Sequence, residues 1–107
     1  MGSPLFLAPE VIKGKQSKEA DMWAIGVTIY MLVSGYAPIQ AENKNKIFDK
    51  IVEGKWDFNL PAFRKVSSEC KDLIKRLLCV EPSERITINE VMQHEWFELS
   101  NSPQKPR

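Results

Sequence analysis

A run of twelve almost uniformly apolar residues, MWAIGVTIYMLV at positions 22–33, constrains the fold of this chain more than any other feature. Its β-branched and aromatic residues would suit a strand, but a run of this length favours a helix. We predict a helix from about Lys18 to Ser34, with Ser17 as its N-cap and Gly35 at its end. Because a helix that is apolar on every side is a buried helix, other parts of the protein must pack all around it.

Four other segments carry helix signals, so the predicted fold class is all-α, with about five helices. They are a turn over residues 9–13 that begins with proline, a helix over residues 43–52 that Gly54 ends, a helix that starts after Ser67, and a helix that starts at Thr87. The chain length allows one small domain. We expect residues 1–98 to form one helical unit and the polar, proline-containing residues 99–107 to be a linker or tail.

The last two helices have the clearest patterns. The fourth carries apolar residues at i, i+3, i+4, i+7 and i+8, which form one stripe: Cys70, Leu73, Ile74, Leu77 and Leu78. In the fifth, Thr87 and Glu90 form a capping box, and the apolar face is predicted to consist of Val91, Met92 and Trp96. The loop over residues 54–66, GKWDFNLPAFRKV, is predicted to be anchored to the core by its large apolar residues: Trp56, Phe58, Leu60 and Phe63.

Charge and composition argue against several classes of function. The chain has 15 basic and 14 acidic residues, a balance that gives no electrostatic reason to expect a nucleic-acid or membrane partner. No run of about 18 apolar residues is available to span a bilayer, and the first residues lack the pattern of a signal peptide. We therefore expect a cytoplasmic protein.

The two cysteines and the single histidine are expected to be structural. If Cys70 and Cys79 shared one helix, they would be about 13 Å apart, whereas a disulfide needs Cα atoms roughly 4.4 to 6.8 Å apart. His94 has no partner at a metal-binding spacing, and the chain contains no glycine-rich loop that would cradle a phosphate. We therefore expect no cofactor or metal in this chain.

Three charged residues stand in apolar surroundings and are candidates for buried or half-buried charges. Glu10 follows Ala8 and Pro9, Asp21 begins the apolar helix, and Arg85 precedes Ile86 between two helices. Because a buried charge needs a partner, we expect Glu10 and Arg85 to pair, a geometry that suits the arginine fork. This leaves Asp21 without an obvious cation, and backbone N–H groups are its expected partners.

These residues belong to a series of motifs that resembles the C-terminal half of the large lobe of a eukaryotic protein kinase. In chain order they are the G-[ST]-P docking loop at Gly2, Ser3 and Pro4, the A-P-E motif that ends in Glu10, the D-x-W-x-x-G-V helix with Asp21, Trp23 and Gly26, the P-x-x-R stretch that ends in Arg85, and the H-x-W at His94. Within this family, SGYAPIQAEN, IVEGKWDFNLPAF and VSSECKDLIKRLL resemble the calcium/calmodulin-dependent and calcium-dependent kinases. Ala37 and Ile39 depart from the usual G-Y-P-P-F of that group.

The resemblance implies a role for each matching residue. Ser3 would contact the catalytic aspartate and help to select serine and threonine acceptors. The Glu10–Arg85 pair would fix the end of the activation segment to the helical subdomain, and Asp21 would bind backbone N–H groups of the catalytic loop. The motifs that hold ATP and Mg²⁺ precede A-P-E in the family, and Asp57-Phe58-Asn59 only superficially resembles the metal-binding D-F-G.

The resemblance therefore implies a parent serine/threonine kinase that uses ATP and Mg²⁺, acts on protein substrates and has the rest of the kinase domain as a partner. The chain alone is expected to be catalytically inert. It is also expected to self-associate, because Asp21 and one side of the apolar helix would lack their usual cover. Two alternatives stay open, a non-catalytic interaction module derived from a kinase and a pseudokinase remnant. Met1 stands in the middle of a family motif, which favours a truncated segment of an active kinase.

Overall fold

The computed structural model describes residues 4–97, so that Gly2, Ser3 and the predicted tail lie outside the described residues. The predicted all-α class with five helices is confirmed for the described part, which contains no strand. The α-helices are α1 (Pro9–Ile12), α2 (Ala20–Ser34), α3 (Lys44–Glu53), α4 (Ser68–Leu77) and α5 (Ile88–Gln93). Short 3₁₀ turns at Pro4–Phe6, Pro61–Lys65 and Pro82–Glu84 connect them.

Side-chain caps set most of the helix starts. Asn43, Ser67 and Thr87 each accept a hydrogen bond from a backbone N–H of the first turn, at the starts of α3, α4 and α5. The start predicted for α2 was wrong. Ser17 donates its hydroxyl to Glu19 Oε1 at 3.0 Å instead of capping the helix, and α2 begins at Ala20. Its end is as predicted, because Gly35 adopts the left-handed conformation with φ 80°.

The core forms where α2 packs against α4. The predicted apolar stripe of α4 is buried at every position. On α2, Trp23, Val27 and Tyr30 are buried in the same core. Gly26 lies at the helix crossing, where an added Cβ would stand 2.7 Å from Leu77 Cβ. The absence of a side chain at Gly26 therefore sets how closely the two helices approach.

The loop between α3 and α4 is attached to α2 through an aromatic cluster. The ring of Tyr30 lies 4.8 Å from that of Phe63, and Phe58 lies 4.9 Å from Phe63. The Tyr30 hydroxyl donates to the backbone carbonyl of Asp57 at 2.7 Å, and the Trp56 indole donates to that of Leu78 at 3.2 Å. The two polar tips thus hold the loop in register while the rings fill the space beneath it.

Two of the three residues predicted for the apolar face of the fifth helix, Met92 and Trp96, do not form it. Helix α5 ends at Gln93 because His94 has an extended backbone (φ −67°, ψ 145°) and its ring accepts the N–H of Trp96 at Nδ1, 3.0 Å away. Since Nδ1 accepts, Nε2 carries the proton and donates to Asp72 Oδ2 at 2.7 Å. Met92 is 54% exposed and does not belong to an apolar face, whereas Trp96 packs on the core from beyond the helix.

One further expectation needs correction. Helix α2 is not covered on every side, since Asp21, Ile25, Thr28 and Leu32 form an exposed strip along it.

Cys79 lies beyond the end of α4, so the cysteines do not share a helix, but both are free thiols. Burial raises the pKa of the Cys70 thiol. Between residues 4 and 97, no helix has the length and apolar character that crossing a membrane requires.

The close approach of α2 and α4 generates a stability prediction. Gly26→Ala should lower the free energy of unfolding by about 1 to 3 kcal/mol, because the new methyl group would overlap Leu77 Cβ and Leu78 Cδ2. Urea denaturation measures this change. Thr28→Ala, on the exposed side of the same helix, is the matched control and should stay within about 0.5 kcal/mol of the unmodified chain. Equal effects of the two substitutions would contradict the packing argument.

Candidate functional site

A buried ion pair lies at the centre of the candidate site. Arg85 Nη1 and Nη2 donate to Glu10 Oε2 and Oε1, each at 2.9 Å, so that the contact is bidentate. The side chains of Arg85 and Glu10 are 0% and 6% exposed. The structure thus brings together two residues that are 75 positions apart in the sequence. Such a pair contributes geometric specificity as well as energy.

The guanidinium of Arg85 uses all five of its N–H donors. Besides its two bonds to Glu10, it donates to the backbone carbonyls of Glu19 at 2.8 Å, Cys79 at 2.9 Å and Val80 at 3.2 Å. These carbonyls belong to the residue before α2 and to the segment that follows α4. Its central carbon also lies 5.5 Å from the ring centroid of Trp23, a cation–π contact. One side chain therefore joins α1, α2 and the end of α4.

Two opposing effects set the pKa of Glu10. Burial disfavours the charged carboxylate and by itself would raise the pKa. Burial is the largest single effect, but the hydrogen bonds that the carboxylate accepts from Arg85, from the Glu10 backbone and from Ser17, together with the charge of Arg85, favour the charged form and jointly outweigh it. The pKa therefore lies below its ordinary value of 4.5. Glu10 therefore remains ionised at neutral pH, as a bidentate partner of an arginine must be.

The predicted core-anchoring residues do not share one environment. Trp23 and Gly26 are buried, whereas Asp21 is exposed, so the expectation of a buried or half-buried Asp21 was wrong for the described part of the chain. Asp21 lies in the first turn of α2, and no described residue donates a backbone N–H to its carboxylate. The indole N–H of Trp23 is buried and has no hydrogen-bond partner among the described residues.

A cavity of about 530 Å³ is bounded by α1, α2, α3 and the turn Pro4–Phe6. Its wall is mainly apolar and includes Pro4, Leu7, Ala24 and Phe48. We call this space the docking cavity, after the predicted docking loop to which Pro4 belongs. Asp21 and Lys44 contribute opposite charges to this wall. Pro4 is the part of the predicted docking loop that the structure describes.

Sequence reasoning missed Lys44, Phe48 and Leu7 as members of the site. Phe48 is half-buried: it packs on the core and also lines the cavity. The contact of α3 with α1 depends on tertiary packing, and no local spacing in the sequence encodes it. In residues 4–97, no group of three or more His, Cys, Asp or Glu side chains is placed to hold a metal ion.

Comparison with known proteins identifies the family of this fold and site. Residues 1–97 match the protein kinase domain family. The chain is 41% identical over 107 residues to calcium-dependent protein kinase 10 of Oryza sativa subsp. japonica, covering 99% of this chain and 18% of that protein. It is 44% identical over 97 residues to calcium-dependent protein kinase 4 of Solanum tuberosum, covering 91% of this chain and 17% of that protein.

The kinase region of twitchin from C. elegans has a similar fold, with a TM-score of 0.85 and 34% sequence identity over 95% of this chain and 18% of that chain. The chain therefore belongs to the protein kinase family, and its resemblance to calcium-dependent protein kinases is confirmed. It spans about a fifth of the length of these curated relatives.

The ion pair predicts how stability depends on pH. Glu10→Gln should lower the free energy of unfolding at neutral pH by about 3 to 5 kcal/mol, because it leaves Arg85 buried without a charged partner. Since the folded-state pKa of Glu10 is lowered, the contribution of its charge to the free energy of unfolding is complete above pH 4.5, the ordinary pKa. This contribution is lost as the pH falls through the folded-state pKa. The difference between the variant and the unmodified chain should therefore shrink in acid.

Urea denaturation at a series of pH values between 3 and 7 measures this difference. Glu42→Gln is the control, because the exposed Glu42 has Lys46 as its one ion-pair partner within residues 4–97. It should change stability little at any pH. A Glu10→Gln effect of the same size in acid and at neutral pH would contradict the assignment.

Proposed function

We propose that this chain is the helical, substrate-docking part of a serine/threonine protein kinase. The parent protein would transfer the γ-phosphoryl group of ATP to serine or threonine hydroxyl groups of protein substrates. The observation that carries this proposal is the docking cavity, which has Pro4 of the predicted docking loop in its wall. Its apolar surface suits a substrate side chain that flanks the acceptor residue.

The ion pair supports this role by fixing the segment that forms the cavity. Ala8 and Leu7, which directly precede Pro9 and Glu10, both lie in the cavity wall. Because Arg85 binds both carboxylate oxygens of Glu10, the position at which the preceding residues join α1 is fixed. We infer that Ser3, next to Pro4, contacts the catalytic aspartate of the parent and contributes to the choice of serine and threonine acceptors.

Asp21 has a further proposed role towards the rest of the kinase domain. It is exposed at the start of α2, and its neighbours Trp23 and Gly26 are fixed in the core. A carboxylate at the start of a helix that is fixed in the core is well placed to accept hydrogen bonds from the backbone N–H groups of a loop that packs against it. We propose the catalytic loop of the parent as that partner, so that α2 anchors the catalytic machinery.

The residues of this chain do not fit a nucleotide or its metal ion. Phosphoryl transfer depends on positioning ATP, Mg²⁺ and the acceptor hydroxyl. The chain has no glycine-rich phosphate loop, and its described residues include no cluster suited to a metal ion. We therefore propose that the chain alone is inert and that ATP and Mg²⁺ are bound by other parts of the parent kinase.

The remaining assignments follow from the same interpretation. We propose that residues 1–98 are the C-terminal helical part of the catalytic domain and that residues 99–107 are a linker or tail. The expected location is cytoplasmic, with reduced thiols at Cys70 and Cys79. The near balance of charges argues against nucleic-acid and membrane partners. A non-catalytic interaction module is the second candidate, favoured by the two clusters of buried apolar residues that residues 4–97 form among themselves.

Inertness is tested by titrating the purified chain with Mg-ATP. We expect no saturable rise in melting temperature, since only a ligand that binds the folded state stabilises it, and no transfer of labelled phosphate to a protein substrate. A full-length calcium-dependent kinase is the positive control for both measurements. Phosphoryl transfer that co-elutes with the chain in size-exclusion chromatography would contradict the proposal.

We also propose that the isolated chain self-associates through the exposed strip of α2. Leu32 is 78% exposed and Ile25 is 37% exposed, which leaves an apolar surface that other parts of a kinase domain would cover. Sedimentation velocity should show dimers or larger species at tens of micromolar. Leu32→Glu should shift the distribution towards monomer, whereas Met92→Glu on α5 should not. A monomeric unmodified chain with a cooperative melting transition would contradict this proposal.

A further inference from the structure

A second cavity, of about 540 Å³, lies where the C-terminal end of α3 faces the C-terminal end of α4. It shares no wall residue with the docking cavity. Its apolar wall consists of Trp56, Phe58, Leu78 and Val80, and we call it the α3–α4 groove. The groove is open to solvent, so an extended chain has access to it.

The apolar wall of the groove is held in place before any ligand arrives. The indole N–H of Trp56 donates to the Leu78 carbonyl at 3.2 Å, and the rings of Trp56 and Phe58 meet edge to face, 5.1 Å apart. Gly54 approaches Val80 so closely that an added Cβ would lie 2.8 Å from Val80 Cγ2. A rigid surface of this kind loses little conformational freedom when it binds a partner.

The charges around the groove favour a cationic partner. Glu53 and Asp57 lie in its wall, and neither forms an ion pair with a described residue. Asp57 Oδ1 accepts the N–H of Asn59 at 2.9 Å, which orients the carboxylate. Lys75 is the cation among the residues that line the groove, so two carboxylates face one ammonium group.

Aromatic rings next to free carboxylates match the chemistry of an arginine side chain. A guanidinium group stacks on aromatic faces and binds carboxylates with a planar fork, which a lysine ammonium does not do. The alkyl part of the same side chain and a neighbouring apolar residue would cover Leu78 and Val80. Lys75 would repel a second cation, so the charges select a partner with one positive charge.

We propose that the α3–α4 groove binds a linear peptide segment that carries one arginine beside an apolar residue. The arginine lies between the two carboxylates and the Trp56 and Phe58 rings, and the apolar residue contacts Leu78 and Val80. This interaction is separate from substrate docking, because it uses none of the residues of the docking cavity.

The test is fluorescence anisotropy with the full chain and a labelled peptide, fluorescein-Gly-Ser-Leu-Arg-Val-Gly-amide. A second peptide has citrulline in place of arginine, which preserves shape and removes the charge. The arginine peptide should bind saturably below about 1 mM, and the citrulline peptide should bind at least about fivefold more weakly. The difference should shrink at high salt.

Variants of the chain locate the binding site. The double variant Glu53→Gln/Asp57→Asn should weaken binding of the arginine peptide at least about fivefold. Glu84→Gln, which removes an exposed carboxylate outside the groove, should leave this binding unchanged. Lys75→Gln should tighten binding, a gain that a misfolded variant does not produce. Equal binding of the two peptides, an unaffected double variant or the absence of saturable binding would each overturn the proposal.

Discussion

The guanidinium group of Arg85 is the contact on which the rest of this structure depends. Its five N–H donors all have acceptors, which include both carboxylate oxygens of Glu10 and three backbone carbonyls. A buried arginine with fewer partners would destabilise the fold, because the desolvation of its charge would be incompletely offset. The segment before α2, the segment after α4 and helix α1 are therefore stable only together.

Much of the helical framework was predictable because it depends on local chemistry. The caps at Ser67 and Thr87, the glycine at position 35 and the stripe of α4 follow from short-range hydrogen bonding and helical periodicity. The end of α5 was not predictable in the same way. There the His94 ring accepts a hydrogen bond from the backbone N–H two residues ahead and donates one to a carboxylate on α4. These two side-chain hydrogen bonds replace continuation of the helix, and a periodic pattern of apolar residues does not reveal them.

The candidate site likewise has one part that the sequence predicts and one part that it does not. The pairing of Glu10 with Arg85 was predictable because each charge stands in an apolar segment and needs an opposite partner. The docking cavity was not, because its wall combines residues from α1, α2 and α3 whose proximity is a tertiary property. Asp21 illustrates the limit. Its sequence context indicates burial, but burial requires a covering segment, and among the described residues it is exposed.

The long separation between Glu10 and Arg85 has a consequence for folding during synthesis. The two residues are 75 positions apart, so the growing chain exposes Glu10 well before its partner leaves the ribosome. Contacts between residues so distant in sequence close large loops and form slowly compared with the local turns of α3 and α4. The buried charge pair is therefore expected to form after these local turns.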